Sequence, residues 1–313
     1  MIKPFIRPLR ISTDLGVIAE LLSICFSDSM DEDGERYIAY LHDFAQSAFF
    51  TKLAERNPEK YSLPAEGFVY EENGKLIGNV TLSPMKYQGG TVYLISNVAV
   101  HPDYRGKGIA TLLTKTSLQY LECKGIKQVW LQVKKENQAA LALYDRFHFQ
   151  SFMTRTTWIR KSSNIFLKKP VNITLRRVRK EEFDSQKMLM ERIYPAELTA
   201  AYGFEIASTQ PLLKKWIKSI VQNRLRFHWT AEQEGQVGFA SYDLFPEQSY
   251  VNLWVTAPAG WEQSFYRAMI PAVQAKIGKE IRVNFPEKEF EDCFHEIGMQ
   301  ELNTLIWQKR QIT

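Results

Sequence analysis

Apolar and polar positions along this chain repeat with two periods, and each change of period marks an element. "PFIRPLRI" (4–11) reads as a short strand. "STDLGVIAELLSICF" then sets Leu15, Ile18, Ala19, Leu22 and Phe26 at helical spacing, with Ser12 or Thr13 as N-cap. An acidic loop, "SDSMDEDGE", precedes a second amphipathic helix predicted over 35–55. "GFVYEENGKLIGNVTL" places Asn73-Gly74 between two alternating runs, a strong hairpin signal. The strand "TVYLISNVAV" (91–100) runs into "HPDYRGKGIATLL", where the period turns helical through Ile109, Leu112, Leu113, Thr116, Leu118 and Leu121 and ends near Gly125. "QVWLQV" (128–133) is a short buried strand, "NQAALALYDRF" (137–147) a helix, and "FQSFMTRTTWIRK" a closing strand.

Periodicity is then lost, and residues 161–171 read as a linker between domains at 1–160 and 172–313. After it the plan restarts. "ITLRRVRKEEFD" resembles "FIRPLRISTDLG", a hairpin is expected at Glu234-Gly235, "YVNLWVTAP" parallels "LISNVAVHP", and "EIRVNF" parallels "QVWLQV". "EKEFEDCFHEIGMQ" parallels "NQAALALYDRFHFQ". A repeat of about 150 residues is too long for a solenoid unit and indicates a duplicated α/β domain with a mixed sheet.

Composition narrows the class. The 313 residues are 45% hydrophobic and 24% charged, the values of ordinary globular protein, and suffice for two cores. A net charge of +5 without any long Lys/Arg tract suits anion handling and gives no reason to expect a nucleic-acid partner. Cys25, Cys123 and Cys293 are scattered and read as core residues, with no zinc or disulfide pattern, so no metal is expected. "MIKPFIRPLRISTD" lacks the apolar core of a signal peptide, and no apolar run approaches the ~18 residues of a membrane span. A cytoplasmic protein with no membrane partner is the expectation.

The chemistry concentrates in Arg105, Gly106, Lys107 and Gly108, between a strand and a helix. Two glycines let successive backbone N–H groups point one way, and a helix N-terminus adds its positive dipole end. Together they form a cradle for phosphate or pyrophosphate. A Walker loop would need GxxxxGK[ST], which is absent; a Rossmann reading of "GKGIAT" lacks its third glycine, and Lys134-Lys135 stand where an acidic ribose partner belongs.

"RGKGIA" matches the R/Q-x-x-G-x-G/A signature of the GCN5-related N-acetyltransferase (GNAT) superfamily, and "NQAALALY" matches its N-x-x-A-x-x-x-Y helix. Over 1–160 the chain resembles that family in element order. The resemblance implies acetyl-CoA as cosubstrate. Pantetheine would pair with Val98, Ala99 and Val100 on a strand splayed from 128–133. Pyrophosphate would lie on Arg105, Gly106, Lys107, Gly108, Ile109 and Ala110, helped by the Thr111 hydroxyl. Asn137 would bond the pantetheine arm, Ala140 would admit the cofactor closely, and Tyr144 would be the general acid for the departing thiolate. Where members often carry a carboxylate on the strand, this chain has Asn97, so the general base is sought in Glu32, Asp33 or Glu35 of the acidic loop, or in Glu66. The competing reading is that the loop only feeds a helix N-terminus. His101 reads as a turn residue, and His148 stands where the family places a glycine cap.

Aligning Val100 with Val255 sets Gly260, Trp261, Glu262 and Gln263 against Arg105–Gly108; aligning "FHF" with "IGM" sets Phe294 against Tyr144 and Glu287 against Asn137. The second domain is therefore expected to be a degenerate GNAT-like copy without the acetyl-CoA loop. It could pack on the first as an intramolecular pseudo-dimer; a homodimer is the other arrangement considered. The expected activity is transfer of acetyl to a primary amine of a small molecule. The alternatives are a protein lysine or N-terminal acetyltransferase, and a non-catalytic acyl-CoA sensor.

Overall fold

The computed structural model describes residues 5–27, 30–56, 63–64, 66–163, 173–204, 225–245 and 248–312; most of the expected linker lies outside them. By its internal contacts the chain divides into two compact units, Met1–Phe152 with Ile306–Thr313, and Met153–Leu305. The domains expected from sequence were contiguous, at 1–160 and 172–313. The units differ from them at two strands. Residues 153–160 belong to the second unit and residues 306–313 to the first.

In the first unit, β1 (Phe5–Pro8), β2 (Glu66–Glu72), β3 (Lys75–Tyr87), β4 (Gly90–Val100) and β5 (Gln128–Lys134) are neighbours in that order. All pairs are antiparallel except β4 with β5. Asn73 and Gly74 turn the β2–β3 hairpin at φ 51° and 76°, the left-handed pair that two-residue hairpins require. Helix α1 (Ile11–Phe26) buries Leu15, Ile18 and Leu22 on one face of the sheet. Helix α4 (Ile109–Cys123) buries Ile109, Leu113, Leu118 and Leu121 on the other, with Tyr144 of α5 (Gln138–Asp145). Gly78 lets α4 approach: a Cβ there would stand 3.1 Å from both Ile109 Cγ2 and Leu113 Cδ1.

Three boundaries differ from expectation. The N-cap of α1 is Arg10, so Ser12 and Thr13 lie in the first turn; Asp14 supplies the cap by accepting the Arg10 N–H at 2.8 Å. The helix expected over 35–55 is two, α2 (Glu32–Ala45) and α3 (Ala48–Arg56). The last four residues of the acidic stretch, Glu32 to Glu35, form the first turn of α2, capped by Asp31 on Gly34 N–H. Finally, Cys293 is buried, but Cys25 is half-buried and Cys123 exposed.

The second unit holds β6 (Gln150–Arg160) from Met153 onward, then β11 (Glu280–Pro286), β10 (Tyr250–Thr256), β9 (Gln236–Leu244), β8 (Leu225–Gln233) and β7 (Thr174–Arg177) in sheet order. Helices α6 (Phe183–Ile193), α7 (Ala196–Ala201), α8 (Glu262–Ile277) and α9 (Glu291–Glu296) accompany it, and β12 (Gln300–Gln311) ends in the first unit. Buried Arg155 holds 153–160 in place, donating to Asn284 Oδ1, Asn284 O and Ile193 O; Arg160 donates to Ile297 O and Gln274 Oε1. None of the helices among the described residues is long and apolar enough to cross a membrane.

The repeat extends to side chains. Arg7 on β1 bridges Asp14 of α1 and Glu71 of β2; Arg176 on β7 bridges Glu182 and Glu232 in the same arrangement. Asp14 and Glu182 each also accept the main-chain N–H that opens the helical segment, from Arg10 and Arg179. The Arg176 hydrogen bonds, outweighing partial burial, hold the Glu182 carboxyl down at about 2. A depressed carboxyl contributes stability that is complete above its ordinary value near 4.3 and lost as pH falls through the folded value. Arg176→Met should therefore raise the acid-unfolding midpoint by about one pH unit in circular dichroism; an unchanged midpoint would show the clamp to be unimportant.

His148 occupies the left-handed position after α5 at φ 57°, with Phe149 N–H bonded to Tyr144 O; Gly298 fills the same position after α9 at φ 78°, with Met299 N–H on Phe294 O. A side chain in that region costs about 1–2 kcal/mol, partly offset by the chain entropy that glycine restores to the unfolded state. His148→Gly should thus stabilise the protein by about 1 kcal/mol, read as a rise in Tm of ~2–4 °C.

Candidate active site

Two irregularities in β4 build the site. The first is a bulge: Asn79 faces Ala99 and Thr81 faces Ser96, so Asn97 and Val98 together oppose Val80. Asn97 takes φ 51°, a conformation asparagine tolerates, and Asn79 Nδ2 donates to its carbonyl at 3.0 Å. The second is a parting of strands. β4 and β5 pair only from Tyr93–Val129 to Ile95–Leu131. Beyond that point, alternation decides where the peptide groups face. His101 N–H bonds Ile77 O, so residues 77/101 and 79/99 are the bonded pairs of the β3–β4 ladder. The N–H and C=O groups of Val98 and Val100 therefore turn toward β5, into the opening. The Val100 carbonyl accepts from Cys25 Sγ and Arg105 Nε, each at 3.2 Å.

The loop after β4 starts with a short turn over Pro102–Tyr104. His101 accepts Asp103 N–H and lies edge-on to Tyr104, the turn-filling role expected of it. Gly106 and Gly108 both adopt the left-handed conformation, at φ 78° and 76°. A Cβ at either would meet no protein atom within 4 Å, so both glycines border open space. Leu112 N–H makes the first helical bond, to Gly108 O, and the amides of Ile109, Ala110 and Thr111 form the N-terminal end of α4 beside that space. The two cations differ in use. Arg105 is engaged with the carbonyls of Val100 and Cys25, pinning the end of α1 to the end of β4. Lys107 is exposed and lies 4.6 Å from the centre of the Tyr104 ring.

Asn137 is the N-cap of α5, its Oδ1 accepting Ala140 N–H at 3.0 Å, which leaves its amide NH2 as a donor. One face of α5 carries half-buried Ala140 and, one turn on, Tyr144, 6% exposed. Burial pushes the Tyr144 phenol up to about 12, so it stays protonated at neutral pH.

The expected bases occupy the first turn of α2. Glu32 is exposed and paired with Arg36 at 2.9 Å. Glu35, also exposed, lines a groove of about 610 Å³ between α1 and α2 with Glu20, His42 and Asp43. Glu66 accepts from Lys124 at 2.7 Å, from Tyr93 and from Tyr120, beside the C-terminal end of α4, the end opposite the glycine loop. From α2, half-buried Tyr37 packs against the α1 cluster that also holds Ala99, and burial raises its phenol above the usual value. Sequence reasoning missed it, because a tyrosine at helical spacing looks like any packing residue. Among the described residues no group of three or more His, Cys, Asp or Glu could hold a metal.

The second unit repeats the parting and fills it. β10 and β11 pair only from Tyr250–Glu280 to Asn252–Arg282. The freed peptide groups of Val255 are both met by Tyr194: its hydroxyl donates to Val255 O and accepts Val255 N–H, each at 3.0 Å. Phe290, aligned with Ala140, and Tyr266, aligned with Thr111, pack with Phe285 and Phe294 at ring separations of 5.1–6.4 Å. Tyr194, Tyr266, Phe285 and Phe294 are fully buried.

Residues 20–149 match the model of the acetyltransferase (GNAT) family. A mycothiol acetyltransferase of Rhodococcus jostii is 34% identical over 117 residues, 35% of this chain and 37% of that protein. N-alpha-acetyltransferase 30 of Schizosaccharomyces pombe is 34% identical over 87 residues, 28% of this chain and 58% of its own length. The chain thus spans between about a third and three-fifths of these curated relatives. Among solved structures, a tandem GNAT protein from the clavulanic acid biosynthesis pathway aligns over 99% of both chains at TM-score 0.57 and 10% identity. A GCN5-related N-acetyltransferase from Sphaerobacter thermophilus aligns over 99% of this chain and 96% of its own at TM-score 0.61 and 14% identity. With the bulge, the parted strands and the glycine loop all falling inside the matched segment, residues 20–149 are a domain of the acetyltransferase (GNAT) family.

Proposed function

We propose that this chain is an acetyl-CoA-dependent N-acetyltransferase, active through its first unit, that acetylates a primary amine of a small molecule by direct attack. The observation that carries this reading is the contrast between the two partings. One is bordered by open glycines and by peptide groups of Val98 and Val100 turned toward it, the other is filled by protein aromatics. Acetyl-CoA supplies an activated thioester. Val98 offers its β5-facing N–H and C=O groups and Val100 its N–H to the pantetheine amides, the Val100 carbonyl being held by Cys25 and Arg105, and the amides from Gly106 to Thr111 hold the pyrophosphate. Asn137 offers its NH2 to the same arm, and Ala140 leaves room for it. Val98 N–H, at the bulge, is the donor placed to stabilise an oxyanion. Tyr144 gives its proton to the departing thiolate as the carbon–sulfur bond breaks. Glu35 is the candidate base, Glu32 being paired with Arg36. The relative named N-alpha-acetyltransferase 30 favours the second reading, a peptide acceptor; an amine panel that includes N-terminal peptides separates the two.

Titration calorimetry should give one acetyl-CoA per chain, and Gly108→Trp should weaken it at least about tenfold while circular dichroism stays native. Two sites per chain, or normal affinity in the variant, would sink the assignment. Tyr144→Phe should lower kcat by about 10²-fold or more with acetyl-CoA affinity kept. Because the phenol stays protonated until about 12, loss of the Tyr144 proton should add no falling limb to the wild-type pH–rate profile between pH 7 and 10.

A further inference from the structure

We propose that Asn79, on the strand beside β4, is a positioning residue that aims the Val98 amide at the acyl group; the inference deepens the acetyltransferase reading above and rests on it. Asn97 O and Val98 N–H belong to one peptide group. That group is planar and trans, so its carbonyl and its N–H point in opposite directions. Asn79 Nδ2 donates to Asn97 O at 3.0 Å and so holds the carbonyl on the β3 side. The Val98 N–H is thereby left facing β5 and the parting. A donor on the carbonyl also polarises the peptide group, which strengthens its N–H as a hydrogen-bond donor.

Asn79 is completely buried within β3, where an aliphatic side chain would need no polar partner. Its Nδ2 also reaches Thr81 Oγ1 at 3.4 Å, but its Oδ1 has no hydrogen-bond partner among the described residues. A buried acceptor without a partner costs stability, so the amide is carried for its donor. The conformation it holds is itself costly, with Asn97 at φ 51°.

The second unit supplies the contrast. Asn79 faces Ala99, and at the aligned pair Ser241 faces Trp254. Leu253, the counterpart of Val98, pairs directly with Tyr242, and Asn252, the counterpart of Asn97, is not among the described residues of positive φ. The Ser241 hydroxyl is engaged with His228 Nδ1 and Gln186 Nε2, each at 2.8 Å. The amide donor and the left-handed asparagine are thus missing together from the copy whose parting is filled.

The test reads acetyl-CoA, isotope-labelled at its carbonyl carbon and bound to the full chain, by infrared difference spectroscopy. In the wild-type protein the Val98 hydrogen bond should lower the carbonyl stretching frequency below that of free acetyl-CoA. Asn79→Leu, of similar volume but without a donor, should lose most of that downshift and keep acetyl-CoA affinity within about threefold. With the best amine of the panel its kcat should fall about 10- to 100-fold. Asn79→Ala removes the same donor with no added bulk and should lose the downshift whether or not leucine is accommodated. Thr81→Val spares the bond to Asn97 O and should keep it. A downshift retained in the Asn79 variants, or lost equally in Thr81→Val, overturns the role of Asn79 and leaves the enzyme reading standing. A wild-type band at the free position does the same. Absence of acetyl-CoA binding by the wild-type chain overturns both.

Discussion

A peptide group withdrawn from water must find a hydrogen-bond partner, and much of this molecule is arranged around that requirement at one place. In each unit two parallel strands part after three residue pairs, and peptide groups that a sheet would normally satisfy are left facing a wedge. The second unit satisfies Val255 internally with one phenol. The first leaves its wedge bordered by a loop whose two glycines present open space. The two units thus differ in how one hydrogen-bonding debt is settled, more than in fold.

Much of this was legible in the sequence. The 3.6-residue and two-residue periods, the Asn73-Gly74 and Glu234-Gly235 turns, and the glycine loop before an aliphatic helix are local signals, and local physics enforces them. His148 was readable as a strained cap for the same reason. Three features were not readable. The start of α1 depends on Asp14 meeting Arg7 and the Arg10 amide, a contact between elements. Tyr37 packs on the α1 cluster only because α2 carries it there. The destinations of 153–160 and 306–313 are set by long-range pairing, with Arg155 and Trp307 buried among partners far away in sequence. No window of the chain contains those pairings.

The Arg7 and Arg176 clamps show what survives duplication. Sequence identity between the halves is faint, yet both keep an arginine on the first strand that ties the following helical segment to the second strand. The clamp sets the entry angle of the chain into each unit, so it is retained where the cofactor loop has drifted. A glycine also lies beneath the long helix in each unit: a Cβ would stand 3.1 Å from Ile109 and Leu113 at Gly78, and 2.7 Å from Phe265 at Gly238.

The division of the strands has an evolutionary consequence. A second copy of a domain at the end of a chain is ordinarily open to deletion by a premature stop. Here the eight residues from 306 to 313 that complete the first unit are encoded after the whole of the second. Any truncation that discards the second copy also discards part of the first. The second unit is therefore shielded from loss by its position in the reading frame, whatever task it performs.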